Sequence, residues 1–206
     1  MIPEKLEKYE LILASGSPRR QSILSQMDLR FRVMTIDIDE SHPGDMEGAG
    51  IARYLSRKKA EAVMVPAVTK PWILISADTV VWHKGCSLAK PDGPEEAASM
   101  LRQLSGDTHD VITGVCLRSE NKIHVFHETT RVTFRQLNKQ EIDHYIRVYK
   151  PFDKAGAYGI QEWIGMTGIE RIEGCYFNVV GLPAARLYRE PGHFLMSRII
   201  SRGPNK

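Results

Sequence analysis

The sequence of 206 residues predicts an α/β fold, a twisted mixed β-sheet with flanking helices arranged as two lobes around a central cleft. Three observations carry that prediction. Short apolar runs alternate with helical segments along the whole chain, the pattern of packed sheet and helix layers. Val111–Leu117 and Lys122–Phe134 flank the turn "RSEN" and read as an antiparallel hairpin, so the sheet is mixed rather than wholly parallel. Nothing repeats and no linker divides the chain, so residues 1–206 read as one domain, with the tail from Ser201 expected to be disordered.

The elements follow in order. Glu10–Ser15 reads as a buried strand, Ser17 as an N-cap and Pro18 as the first residue of a helix reaching Met27. Phe31–Ile36 reads as a second strand. The acidic, Gly-rich "DIDESHPGDMEGAG" is a loop before a helix over Ile51–Val65. Trp72–Trp82 is a long strand and "KGCSLAKPDG" a loop. Gly93-Pro94-Glu95-Glu96 opens a helix that stops at Ser105-Gly106. After the hairpin, Asn138 and Glu141 fit an N-cap with its N3 partner, starting a helix to Val148. "KPFDKAGAYGIQ" reads as irregular, "IERIEGCYFNVV" as strand and Leu182–Arg189 as helix.

Composition narrows the function. With 42% hydrophobic and 26% charged residues the chain is an ordinary globular one. Its apolar runs, such as Trp72–Ile75, fall far short of the ~20 residues of a membrane span. The charged start "MIPEKLEKYE" lacks the apolar region of a signal peptide, so a cytoplasmic location is expected. A net charge of +3, with Lys and Arg spread along the chain, argues against a nucleic-acid partner. Cys86, Cys116 and Cys175 show no Cys-x-x-Cys spacing and suggest neither a disulfide framework nor zinc. His124 and His127 stand at odd spacing on a strand and point to opposite faces, which argues against a histidine metal site.

The chemistry gathers elsewhere. In "LILASGSPRRQSIL" the chain turns at Gly16-Ser17 and starts a helix with Arg19 and Arg20, cations at the end of a helix that favours anions. Unpaired first-turn N–H groups and two guanidiniums make a cradle for phosphate oxygens, unless both arginines are simply solvated. Asp78 stands inside an almost wholly apolar strand, where a carboxylate is costly unless it is paired, catalytic or metal-bound. Asp37, Asp39 and Glu40 offer further carboxylates from a loop that could equally be solvated. At 100° per residue, Lys59 falls within the arc of about 120° that holds Ile51, Ala52, Leu55, Ala62 and Val63, with Lys58 at its edge. Lys59 then either snorkels or points into a cleft. Lys90 in "LAKPDG" is a loop lysine. Together these residues suit a phosphorylated substrate, because Mg²⁺ needs only one or two carboxylates besides phosphates and water.

Taken in order, "LASGSPRRQSIL", "DIDES", "KKAEAV", "ISADTVV", "AKPDGPEEAASMLRQLSGDTHDVITGV", "DKAGAYGIQ" and "GCYFNVVGLP" resemble the Maf family of nucleoside triphosphate pyrophosphatases over nearly the whole chain. The resemblance implies a Maf/ITPase-like fold, often as a homodimer. The implied activity is hydrolysis of a nucleoside triphosphate to the monophosphate and pyrophosphate with a divalent cation, Mg²⁺ or Mn²⁺. It implies Asp78 as the catalytic acid-base position and Glu40 as the second acidic one, both available to the metal. Ser15, Arg20, Lys59 and Lys90 match polar or basic cleft positions, and Arg19, Thr79 and Gln161 match specificity positions. The branch with "AGAYGIQ" is described as acting on dTTP and UTP, and an amide at Gln161 could meet the O4 and N3–H edge of thymine or uracil. Modified uridine triphosphates are further candidate substrates. Alternatives are the 7-methyl-GTP branch, which carries a different motif in this loop, and a non-catalytic regulator of septum formation. Cys175 and Glu162-Trp163 depart from the pattern of many relatives.

Overall fold

In a computed structural model describing residues 6–35 and 37–196, seven strands form one mixed sheet. They are β1 (Glu10–Leu13), β2 (Arg32–Val33), β3 (Trp72–His83), β4 (Cys86–Leu88), β5 (Thr108–Ser119), β6 (Lys122–Phe134) and β7 (Ile169–Glu173). The order is β2-β1-β3-β5-β6-β7, with β4 also paired to β3. β1 runs parallel to β2 and β3, and the other pairs are antiparallel. The expected mixed sheet and hairpin are both present. No helix among the described residues is long and apolar enough to cross a membrane.

The ladder around β3 opens the molecule. β5 pairs β3 continuously from Leu74 to Trp82. On the opposite edge, β1 pairs only as far as Ile75 and β4 only from Val81. The stretch Ser76–Val80 is therefore left between two short partners, with Asp78 at its middle.

The two faces of β3 bury different cores, as period-two alternation requires. Ile73, Ile75, Ala77 and Val81 join the larger cluster, with Leu101, Phe134 and Tyr145. Leu74 and Val80 face the other way, into smaller clusters with Ala60 and with Ile51 and Leu55. Those partners belong to helix α2 (Gly48–Ala62). α2 lies close on the sheet because Gly114 of β5 has no Cβ, and one there would collide with the carbonyl of Ala52.

First-turn prolines mark two helix starts and a side-chain cap a third; Ser17 holds the N-cap position of the first without a side-chain cap bond. α1 (Pro18–Gln26) starts with Pro18 in its first turn, as expected. α3 (Pro94–Leu104) has Pro94, Glu95 and Glu96 there. The capping box that starts α4 (Lys139–Tyr149) is complete: Asn138 Oδ1 accepts from Glu141 N at 3.0 Å and Glu141 Oε2 from Asn138 N at 2.9 Å.

Other expectations need correction. The second strand shrinks to Arg32–Val33, and Ile36 lies outside the described residues, as does the tail from Ser201. α2 starts a turn early, at the buried Gly48, where a Cβ would stand 2.7 Å from Ile112 Cδ1. It ends before Val65, which precedes Pro66 and is biased away from helix. The loop "KGCSLAKPDG" contains β4, because Lys84 and Gly85, at φ +48° and +82°, make a turn that returns the chain onto β3. In "IERIEGCYFNVV" only Ile169–Glu173 is strand, and Tyr176–Val180 is helix α6. Gly174 at φ +131° breaks the extended run, and Asn178 Nδ2 bonds Val111 O and Thr130 Oγ1, both at 2.9 Å, so tertiary contacts override strand propensity. The irregular segment holds a 3₁₀ turn at Ala155–Ala157 and is followed by a short helix, α5 (Trp163–Gly168). The last helix, α7 (Ala184–Met196), continues through Pro191.

Candidate active site

The opening in β3 is the floor of a cleft of about 670 Å³. Ser15, Arg19, Arg20, Glu40, Lys59, Asp78, Thr79, Lys90 and Gln161 all line it. They come from six separate segments, and the register determines how they meet.

Asp78 stands opposite Gly114 in the β3–β5 ladder, so its side chain projects to the face that α2 covers. Lys59, two turns along α2 from Ala52, reaches the same point. Its ammonium donates to Asp78 Oδ1 and, at 2.8 Å, to Glu40 Oε1. Both inner side chains are nearly buried, with Lys59 14% and Asp78 11% exposed. Lys90 Nζ approaches Glu40 Oε2 at 3.3 Å from the loop after β4. Burial alone would raise the Glu40 carboxyl, but the hydrogen bond and charge of Lys59, joined by Lys90, hold it below its ordinary value. Lys58, at the edge of the helix stripe, turns instead to Ser41 O at 3.2 Å.

The next residue of β3 faces the other way. Thr79 stands opposite Thr113, with the hydroxyls 2.9 Å apart, and Thr113 Oγ1 donates to Asn178 O at 2.9 Å. Arg20 spans this side of the cleft. Its Nη2 donates to Thr79 Oγ1 at 3.1 Å, Nη1 to Ser15 Oγ at 3.3 Å and Nε to Gly181 O at 2.8 Å. Burial lowers the guanidinium pKa, with Asp78 opposing, and an arginine keeps its charge regardless. Ser15 Oγ also accepts from Ser17 N at 3.2 Å, which shapes the turn before α1.

Two of the nine residues stand apart from these groups. Arg19 turns to the rim, donating to Asp153 Oδ2 at 3.2 Å, and Gln161 is exposed on the wall formed by residues 153–161. That wall contains two residues that the sequence did not single out, Asp153 and the buried Lys154. The charged pair in "DKAGAYGIQ" was their one visible trace. Of the other acidic candidates, Asp37 lines the cleft, while Asp39 is exposed and held by Ser41 Oγ and Ser41 N.

Among the described residues no three His, Cys, Asp or Glu side chains converge as a metal cage. Asp78 and Glu40 do converge on one cation, the Lys59 ammonium. Two hard oxygen donors in a cleft that Arg19, Arg20 and Lys90 also line fit Mg²⁺ or Mn²⁺, which takes its remaining ligands from water and phosphate.

The description "Maf-like protein" matches residues 10–192. This chain belongs to the Maf family. Among Maf relatives, it is 44% identical over 188 residues to a dTTP/UTP pyrophosphatase of Flavobacterium johnsoniae, covering 91% of this chain and 96% of that one. Proteins of the same name from Phocaeicola vulgatus and Parabacteroides distasonis are 48% and 47% identical, over 91% and 93% of this chain and 97% and 99% of theirs. A solved HAM1 protein from Coxiella burnetii aligns at 12% identity and a TM-score of 0.40, over 64% of this chain and 75% of that one.

Proposed function

We propose that this Maf protein hydrolyses dTTP and UTP to the monophosphate and pyrophosphate. The observation that carries the reading is the meeting of Asp78 and Glu40 on one ammonium, in a cleft whose other charged walls are largely cationic. Arg19, Arg20, Lys59 and Lys90 would bind the triphosphate, with the first-turn N–H groups of α1 beside them. Asp78 would take a proton from water as its oxygen attacks the α-phosphorus, while the α–β P–O bond breaks and its electron pair leaves with pyrophosphate. Asp78 and Glu40 would hold the divalent cation, which neutralises charge on the phosphates.

The base would lie toward the wall that ends in Gln161, whose amide carries both a donor and an acceptor for the 4-oxo pyrimidine edge. Thr79 would position Arg20. The same reading places the protein in the cytoplasm as a homodimer, which sedimentation would register at twice the chain mass.

The test is pyrophosphate release from dTTP, UTP, CTP, GTP, ATP and 7-methyl-GTP in ¹⁸O-enriched water, with Mg²⁺ or Mn²⁺. Turnover should concentrate on dTTP and UTP, with the label in the monophosphate. Label in pyrophosphate, or turnover centred on 7-methyl-GTP, would contradict the reading.

A further inference from the structure

An amide that both donates and accepts can turn over and read the cytosine edge as readily as that of thymine. Discrimination then depends also on where the wall carries Gln161 relative to the base edge, which the contacts that fix the wall decide. Those contacts centre one residue further along the chain.

We propose that Glu162 is a positioning residue for base selection, a role that rests on the functional reading above. Its carboxylate is shared by two groups. Lys154 Nζ lies 3.0 Å from Oε1, and the Tyr145 hydroxyl donates to Oε2. Tyr145 is fully buried on α4, and its oxygen also accepts from Gly159 N at 3.0 Å. Glu162 N in turn donates to Gly159 O at 3.0 Å. The carboxylate rests against Gly159, where a Cβ would stand 2.8 Å from Glu162 Cδ. The two ends of the wall are thus closed on each other through one buried lysine and fastened to α4 through one hydroxyl.

The same contacts reach the opposite rim of the cleft. Lys154 also donates to Asp153 Oδ1 at 2.6 Å, and Asp153 Oδ2 receives Arg19 at 3.2 Å. Charges alternate from Arg19 through Asp153 and Lys154 to Glu162. Lys154 and Arg19 together hold the Asp153 carboxyl below its ordinary value, against the effect of burial. Neutralising Glu162 removes one of the two anions on a buried ammonium, so Lys154 shifts its full charge onto Asp153 and competes there with Arg19. Arg19, held by Asp153, and Gln161, at the other end of the same wall, would lose their mutual placement. Neither Glu162 nor Tyr145 lines the cleft, so both act only through their neighbours.

The test compares wild type, Glu162→Gln and Tyr145→Phe in kcat and KM for dTTP, UTP and CTP, with thermal unfolding of each. Glu162→Gln keeps an acceptor for Tyr145 and removes the charge, whereas Tyr145→Phe keeps every charge and removes the hydroxyl. In each folded variant the dTTP:CTP ratio of kcat/KM should fall about tenfold, the size of one misplaced hydrogen bond, through KM for dTTP. The kcat for dTTP should stay within about twofold. An unchanged ratio in a folded variant, or an equal fall in kcat for all three nucleotides, would overturn the positioning role. If Glu162→Gln does not fold, Tyr145→Phe decides by the same criterion. A wild type indifferent to the base would instead overturn the functional reading itself.

Discussion

Lys59 and Asp78 meet across the boundary between helix and sheet because a glycine lies opposite the aspartate. Gly114 faces Asp78 in the ladder, and its missing Cβ lets α2 settle against β5 at Ala52, from which Lys59 extends to the carboxylate. The placement of the site is thus a consequence of strand register and one close backbone approach.

Adding a methyl group at Gly114 tests this. Gly114→Ala would collide with the Ala52 carbonyl, a backbone atom that cannot swing aside. A loss of about 1–3 kcal/mol in urea unfolding is expected, the usual range for overpacking, together with a drop in turnover. Full stability with full turnover would show that α2 is not seated by this contact.

Lys59→Met removes the cation shared by two carboxylates. Turnover should fall about 10²-fold or more, the scale for losing one charge-stabilising donor. Glu40 would lose its main stabilising partner and titrate higher, because Lys59 opposes the upward effect of burial. The acid limb of the pH–rate profile should therefore move to higher pH, which initial rates across the acid range would register.

Chelation should abolish turnover without unfolding the protein. Asp78 and Glu40 already share an internal counter-charge in Lys59, so the fold does not need a metal there. Treatment with EDTA is expected to leave the thermal midpoint unchanged, and Mg²⁺ or Mn²⁺ to restore activity. A large fall in the midpoint would point to a structural metal.

His109 makes stability depend on pH in mild acid. It is buried, bonded through Nε2 to Tyr158 at 2.7 Å, and burial, helped by His83, lowers its pKa to about 4. The unfolded histidine binds its proton near pH 6.5 and the folded one does not until about 4. Stability should thus decline as pH falls from about 6.5 to about 4, by up to about 3 kcal/mol. Urea unfolding at about pH 7 and pH 5 should show this slope in wild type, and His109→Phe should flatten it.

Much of the cleft was legible before the fold was known, for identifiable reasons. Asp78 stood out as a carboxylate in an apolar strand, and the helical period separated Lys59 from Lys58. Asn138 and Glu141 announced a helix start that the structure contains. Other features left no such trace. β4 depends on Lys84 adopting positive φ, which its side chain does not advertise, and α6 is held by Asn178 through contacts distant in sequence. Lys154 and Glu162 meet within an irregular segment, where no period predicts which charges will face each other.

The most direct measurement is dTTP turnover by Asp78→Asn beside wild type, with folding checked by thermal unfolding. A folded variant reduced by 10²-fold or more, the range for a lost acid-base group, is expected. A folded variant that releases pyrophosphate at the wild-type rate would contradict Asp78 as the carboxylate on which the chemistry depends.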